Sequence, residues 1–374
     1  MYAPDTAPNT APNNATQRIH VQRGVSIVEV MVGMVVALLV GLAATGSAQM
    51  FTASQRQGIG TGGALLNATT ALTALRDDVA AAGLGFFGDS KYLCSKLNLS
   101  VAASVVQDGA AFTPVAITAE AAGDRIDVVS STQVAAGVNV LLKTSTTGMG
   151  NTTAELRSLL PVTAGQAVLL APATQGSPCL VRSVTAVADA TDDTPQTLTF
   201  GSSGANSTYN QASFATNPTY PVNDYPDIGR VTLLGDVRWS RYRLQGTDLR
   251  LERPMGGSPV VLVRNVVAFK AQYGMANAAA GSTALETWEN AVGGFVTMTA
   301  ANLPRVRALQ IGVVTRSPQA EKANPATGVC EATPTMPTLF GNAVTSDVTD
   351  WQCYRYRTAI VVVPLRNLVI GMTP

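Results

Sequence analysis

Hydrophobic and polar positions divide the chain into three regimes. Residues 1–24, MYAPDTAPNTAPNNATQRIHVQRG, are polar, rich in Pro, Asn and Thr, and show no apolar period. The next twenty residues, Val25 to Ala44, carry only two polar side chains, Ser26 and Glu29. As a helix they span roughly 30 Å, the thickness of a bilayer's hydrocarbon core. The apolar pattern then runs on without proline toward Gln57. After the cluster Gly58 to Gly63, Leu65, Ala68, Leu72, Leu75, Val79 and Ala82 recur at spacings of three and four, the apolar face of an amphipathic helix. The glycines predict a weakened or bent helix there, and Gly83 is placed to cap its end.

From Ala111 onward the pattern is that of strands: Thr113 to Thr118, Arg125 to Ser130, Val138 to Thr144, Gln166 to Ala171 and Leu180 to Val187. Longer runs follow at Val231 to Leu244, Leu249 to Arg253, Val260 to Tyr273, Val306 to Thr315 and Tyr354 to Val363. Alternation in Trp239 to Arg243 and Tyr354 to Arg357 puts arginines on one strand face, either a basic ridge or a solvated surface. Three long polar excursions interrupt the strands: Gly201 to Gly229, Gly274 to Asn302 and Ser317 to Gln352. The expected fold class is α+β, a long N-terminal helix (a membrane-spanning half and an amphipathic half) packed on an antiparallel β-sheet head with long inserts.

Composition narrows the function. Charged residues are 13% of 374 and hydrophobic ones 46%, so global disorder is excluded. A net charge of +1 offers no field for nucleic acid. The one histidine is His20, which leaves the body of the chain without a Ser-His-Asp or Cys-His site or a multi-histidine metal site. No enzyme, metal or cofactor is expected. Acidic pairs such as Asp77-Asp78, Asp192-Asp193 and Asp347/Asp350 lack the ligand count of a calcium loop. The basic residues Arg18 and Arg23 precede the apolar span, so the positive-inside rule puts the N-terminus in the cytoplasm and the body outside.

Glu29 is costly so deep in an apolar helix, by a few kcal/mol. It either acts there or snorkels from near the helix end. The run Arg23-Gly24-Val25-Ser26-Ile27-Val28-Glu29, followed by an unbroken apolar helix, resembles the class III signal of type IV prepilins. That resemblance implies cleavage by a membrane peptidase between Gly24 and Val25, N-methylation of Val25, and Glu29 as fifth residue of the mature chain. Val25 stands where that family usually has phenylalanine, and the leader is longer than many. Cleavage would leave 350 of 374 residues, and removing Arg18, Arg23 and Asp5 takes 25 basic and 24 acidic side chains to 23 of each.

The new amine at Val25 has an ordinary pKa of about 7.7 to 8.0 and would be cationic in apolar surroundings. A neighbouring subunit's Glu29 can neutralise it, each charge removing the other's desolvation penalty. Gly33, Ala37 and Gly41 step by four along one stripe, continued by Thr45, and small residues let helices approach closely in lipid.

Asp77-Asp78-Val79 with Ala82-Gly83-Leu84-Gly85 is similar to the segment after the helix in PilW-type minor pilins. So are Val260 to Tyr273, Trp288, Pro304 to Leu309, and Tyr354 to Asn367. J-type minor pseudopilins of type II secretion share the layout but are generally shorter. The resemblance implies a minor pilin that helps to initiate type IV pilus assembly near the fibre tip. Its partners would be other minor pilins, the major pilin, the prepilin peptidase and the inner-membrane assembly machinery, with a tip adhesin as a further one. A single-pass inner-membrane protein would move from there to the pilus, periplasm and cell surface. The alternatives are a minor pseudopilin or a tip-located adhesive module.

The expected organisation is a leader at 1–24, an assembly helix at 25–46, its amphipathic continuation at 47–83 and a β-rich head at 84–374. The head has room for an inserted β subdomain at about 100–230. Cys94, Cys179, Cys330 and Cys353 form no CxxC pair, and four cysteines outside the cytosol point to two disulfides. Three pairings exist. Cys330–Cys353 is favoured because it would staple the Pro-rich excursion to the last strand, leaving Cys94–Cys179. Chain entropy gives about 3.4 kcal/mol for the shorter loop and about 4.6 for the longer.

Overall fold

The computed structural model describes residues 24, 26–86, 94–133, 137–144, 146–147, 152–172, 176–216, 219–220, 229–278, 282, 284–298, 301–324 and 326–371. An α-helix of 54 residues runs unbroken over Ile27–Ala80, and a head rich in antiparallel strands follows it. The chain divides into two compact units, Met1–Arg56 and Gln57–Pro374. The described part of the first is Gly24, Ser26 and the helix up to Arg56.

In the second unit the helix buries Ala64, Ala68, Ala71, Leu72, Leu75 and Val79, and Ala82 continues the stripe into the turn beyond. Leu65, expected on this face, is 49% exposed. The stripe starts at Ala64 because the helix lies close to a strand there. The buried Thr315 hydroxyl donates to the Ala64 carbonyl at 2.9 Å, and a small residue permits that approach. The glycines from Gly58 to Gly63, expected to weaken or bend the helix, do not interrupt it. Each glycine disfavours the helix by about 1 kcal/mol but removes no backbone hydrogen bond. Gly83 takes a left-handed φ of +77°, yet its amide donates to Val129 rather than to a helix carbonyl. The carbonyls of Ala80 and Ala82 instead accept from the Asn367 side chain at 3.4 and 3.3 Å.

Two antiparallel sheets enclose this stripe. One orders the strands Val260–Val263, Asp248–Glu252, Val237–Gln245, Gly123–Ser131 and Val115–Glu120. The other orders Leu285–Glu289, Val266–Ala276, Val306–Arg316 and Tyr356–Pro364. Leu72, Leu75 and Val79 share one core with Ile126, Val128, Tyr242, Phe269, Tyr273, Leu309 and Ile311. Polar ties cross between the sheets. Asp124 accepts from Lys270 Nζ at 2.9 Å and from the Ala271 amide at 2.8 Å, and the Ile117 amide donates to the Tyr273 hydroxyl at 2.6 Å.

A six-stranded sheet orders Ser104–Ala111, Lys96–Val101, Cys179–Ser183, Ala167–Ala171, Arg230–Gly235 and Asn139–Leu141. Ala167–Ala171 and Cys179–Ser183 are buried at every residue. That burial is why Ala167–Ala171 reads as continuously apolar instead of alternating, while Cys179–Ser183 also buries Arg182, whose guanidinium donates to the Phe200 carbonyl at 2.9 Å. Leu169 and Val181 face the main core, whereas Val168, Leu170, Leu180, Val231 and Leu233 face a second one with Leu142, Leu198 and Phe200. Lys96–Val101 and Cys179–Ser183 pair in parallel, a contact no hairpin can supply. The Cys94–Cys179 disulfide sits at its start, and Cys330–Cys353 closes the last excursion.

Three other expectations are corrected. Val231 to Leu244 is two strands in two sheets, separated at Gly235 and Asp236. Val260 to Tyr273 also splits, at Arg264 and Asn265, where Asn265 has φ +61°. Lys96–Val101 and Ser104–Ala111 were not expected as strands. The polar excursion after Gly201 is anchored: buried Asn210 accepts from the Ser183 amide at 2.9 Å and donates to the Ser183 carbonyl at 2.7 Å. Its side-chain amide thus imitates a neighbouring strand, a role that polarity along the sequence conceals.

Gly235 turns the chain from the six-stranded into the five-stranded sheet. Its φ is +75°, and an added Cβ would lie 2.4 Å from Gln133 Cβ. Gly235→Val is expected to lower stability by about 2–4 kcal/mol, combining left-handed strain with overpacking. Urea denaturation of the variant beside the unmodified protein measures it.

Candidate assembly segment

The helix opens at Ser26. Its carbonyl accepts from the Glu29 and Val30 amides at 2.9 and 3.1 Å, and its Oγ accepts from the Val28 amide at 3.3 Å. Ser26-Ile27-Val28-Glu29 is therefore a Ser-x-x-Glu capping sequence with Glu29 in the first helical turn. The signal was present in the sequence and is separate from the prepilin resemblance. A carboxylate here is favoured by the helix dipole, which offsets part of its penalty in apolar surroundings. Val25 and residues 1–23, with Arg18, His20 and Arg23, lie outside the described residues, so of the expected cleavage pair only Gly24 is described.

Ile27–Ala48 is long and apolar enough to cross a membrane, and none of it is buried within the chain. Its Thr45 and Ser47 hydroxyls turn inward to the backbone. Thr45 Oγ1 donates to the carbonyls of Gly41 and Leu42, both at 3.0 Å, and Ser47 Oγ donates to Ala43 at 2.8 Å. Hydroxyls satisfied in this way expose little unpaired polarity to lipid. A Cβ added at Gly33 or Gly41 would meet nothing within 4 Å, so packing inside the chain does not require glycine at either place. Gly33, Ala37 and Gly41 share one side of this helix, with Glu29 one step before them.

In the head, the helix's last turns are held by charge and hydrogen bonding. Asp78 accepts from the Tyr242 hydroxyl at 2.6 Å and lies 3.6 Å from Arg238. Three of the strand arginines singled out by alternation are paired with carboxylates, and Arg357 is exposed and donates to the Tyr356 carbonyl at 3.4 Å. Arg241 pairs with Asp127 at 2.7 Å, Arg243 with Glu252 at 3.5 Å, and Arg355 with Glu321. Asp127 also accepts from Trp239 Nε1 and Arg125 Nε, each at 2.9 Å. Asp347, in one of the acidic pairs, is bonded to Arg316 at 3.1 Å. Among the described residues no group of three or more His, Cys, Asp or Glu side chains is arranged to hold a metal ion.

Residues 240–367 match the model of the family described as Type IV Pilus-assembly protein W, PilW. This stretch is a PilW-family region. It contains the whole four-stranded sheet and most of the strands Val237–Gln245 to Val260–Val263. The PilW region therefore supplies much of the surface that covers the helix stripe. A type IV-like pilin from Thermus thermophilus is similar in structure, at 11% identity and a TM-score of 0.31, over 79% of this chain and 92% of that one. No curated protein is detectably similar.

Burial raises the pKa of Tyr209, Tyr242 and Tyr273 well above that of a free phenol, with Asp236 adding to the effect at Tyr209 and Asp78 at Tyr242. The unfolded chain deprotonates first, near pH 10, so this contribution to stability is intact below about pH 10 and is lost as pH rises further. A spectroscopic titration of the nine tyrosines should leave three of them unionised until the head unfolds. Tyr242→Phe should lower stability at neutral pH by about 1.5–3 kcal/mol, since a hydrogen bond to a charged group is lost, and should make the alkaline fall shallower.

Proposed function

We propose that the chain is a minor pilin that takes part in initiating type IV pilus assembly near the fibre tip. Prepilin peptidase cuts between Gly24 and Val25, and Val25 is methylated. Before assembly the protein is held in the inner membrane by Ile27–Ala48 with its N-terminus in the cytoplasm. It then passes to the pilus and cell surface with other minor pilins and the major pilin.

One observation carries this reading: an apolar, unburied helix begins just after Gly24 with a capped first turn holding Glu29, in a chain with a PilW region. None of these 22 residues is buried within the chain, and the segment's neighbours are lipid before assembly and other helices after it. The helix dipole at the first turn keeps Glu29 tolerable in an unassembled subunit. The Val25 amine of an adjacent subunit then replaces that partial compensation with a full counter-charge. Gly33, Ala37 and Gly41 give the adjacent helix room to approach.

Glu29→Val removes the charge but leaves the scissile bond intact. Membrane insertion and cleavage should proceed as before, while co-purification with other minor pilins and the number of surface fibres should fall at least about tenfold. Unchanged association and fibre number would reject the pairing role. Replacing Gly24 with a bulky residue should leave an uncut precursor in the membrane, whereas mature protein from a cell with its peptidase should begin, by intact mass, at methylated Val25. A mature N-terminus elsewhere would reject the processing site.

A further inference from the structure

Among the described residues the strand Tyr356–Pro364 has one neighbour, Val306–Arg316, and its second edge belongs to no sheet. Edge strands are usually protected by being short, charged or bulged. This one has nine residues and pairs in uninterrupted register from Arg316↔Tyr356 to Ala308↔Pro364. Its centre, Thr358 to Val363, reads TAIVVV and carries no charge. Ile360 and Val362 are 48% and 47% exposed. Ala359 and Val361 lean on the main core and are still only partly buried, as expected beside an open edge.

The two ends of this stretch are cationic. Arg357 is exposed, and its guanidinium donates only to its neighbour's carbonyl, Tyr356 O, at 3.4 Å. Arg366, two residues past the strand, is exposed as well. Neither has a carboxylate partner among the described residues, in contrast to Arg241, Arg243, Arg316 and Arg355. At strand rise the seven steps from Arg357 to Pro364 cover about 23 Å, and Arg366, which opens the helix Arg366–Gly371, lies two residues beyond, so an uncharged pairing edge separates the two cations.

We propose that this edge binds an extended segment of a different polypeptide, apolar at alternate positions and acidic at both ends, which adds to the sheet as a fifth strand. Backbone hydrogen bonds would supply affinity, and Ile360 and Val362 would cover alternate apolar side chains of the incoming strand. The cations at Arg357 and Arg366 would fix its register and exclude basic segments. The inference goes beyond the assembly reading and does not depend on Glu29 or on processing.

The test uses the full-length protein in detergent with two labelled ten-residue peptides, Asp-Val-Thr-Val-Thr-Val-Thr-Val-Thr-Asp, which matches residues 357–366 in length, and the same peptide with lysine at both ends. Anisotropy reads binding, and hydrogen exchange reads the amides of residues 357–363. The acidic peptide should bind at least about fivefold more tightly, in line with two exposed charge pairs, and should slow exchange along the strand. The double variant R357E/R366E, altered only at exposed side chains, should reverse the preference, and V362K should weaken both peptides. Equal binding of the two peptides, or no slowing of strand exchange, would overturn the proposal. Slow exchange without peptide, together with a dimer in sedimentation, would overturn it in favour of a second copy of this chain.

Discussion

The burial of one alanine- and leucine-lined stripe, Ala64 to Ala82, between two sheets is the contact on which the rest of the head depends. It joins the helix, the turn after it and the strands of the PilW region in a single core. The same helix, at its other end, exposes apolar side chains all round and buries none. Continuity of the backbone from Ile27 to Ala80 therefore joins a stripe buried in a packed protein core to a segment long and apolar enough to cross a membrane. A stripe suits the core, and an all-round apolar surface suits a membrane.

Two sets of polar groups tie this scheme together. Asp78 holds the helix to Tyr242, and Asp124 with Tyr273 holds sheet to sheet. Each lost partner would strand a buried donor or acceptor, which costs more than the bond itself contributes. The six-stranded sheet is held differently. Its parallel pair has no short connection, and the Cys94–Cys179 bond closes a separation of 85 residues directly beside it. The second disulfide, across 23 residues, closes an excursion whose Leu339 packs over Gly312, where a Cβ would lie 2.5 Å away.

The helix, its membrane-length segment and most long strands were legible because each carries its own period or an unbroken apolar run. Where legibility failed, the reason was tertiary. Leu65 fits the periodic stripe as well as Ala64 does, but the Thr315 bond to the Ala64 carbonyl decides which one faces the sheet. Val231 to Leu244 reads as one strand because a single Gly-Asp step does not interrupt β composition, yet Gly235 turns the chain into a different sheet. Lys96–Val101 was hidden because its fully buried Asn98 and Ser100 donate their side-chain hydrogen bonds to distant segments, at the Thr216 and Tyr209 carbonyls. Within the assembly segment the carboxylate and the small-residue stripe were plain from residue type and spacing, whereas the capping geometry at Ser26 emerged only with the backbone.

The central claim is that Ile27–Ala48 finds its neighbours in other subunits' helices, along one side. Photo-crosslinking from a diazirine amino acid placed singly at positions 33, 35, 37, 39 and 41 of the protein in piliated cells tests this directly. Positions 33, 37 and 41 should yield covalent products with other pilus proteins, while 35 and 39, on the other side of the helix, should yield few. Equal crosslinking at all five positions, or capture of lipid alone at each, would contradict it.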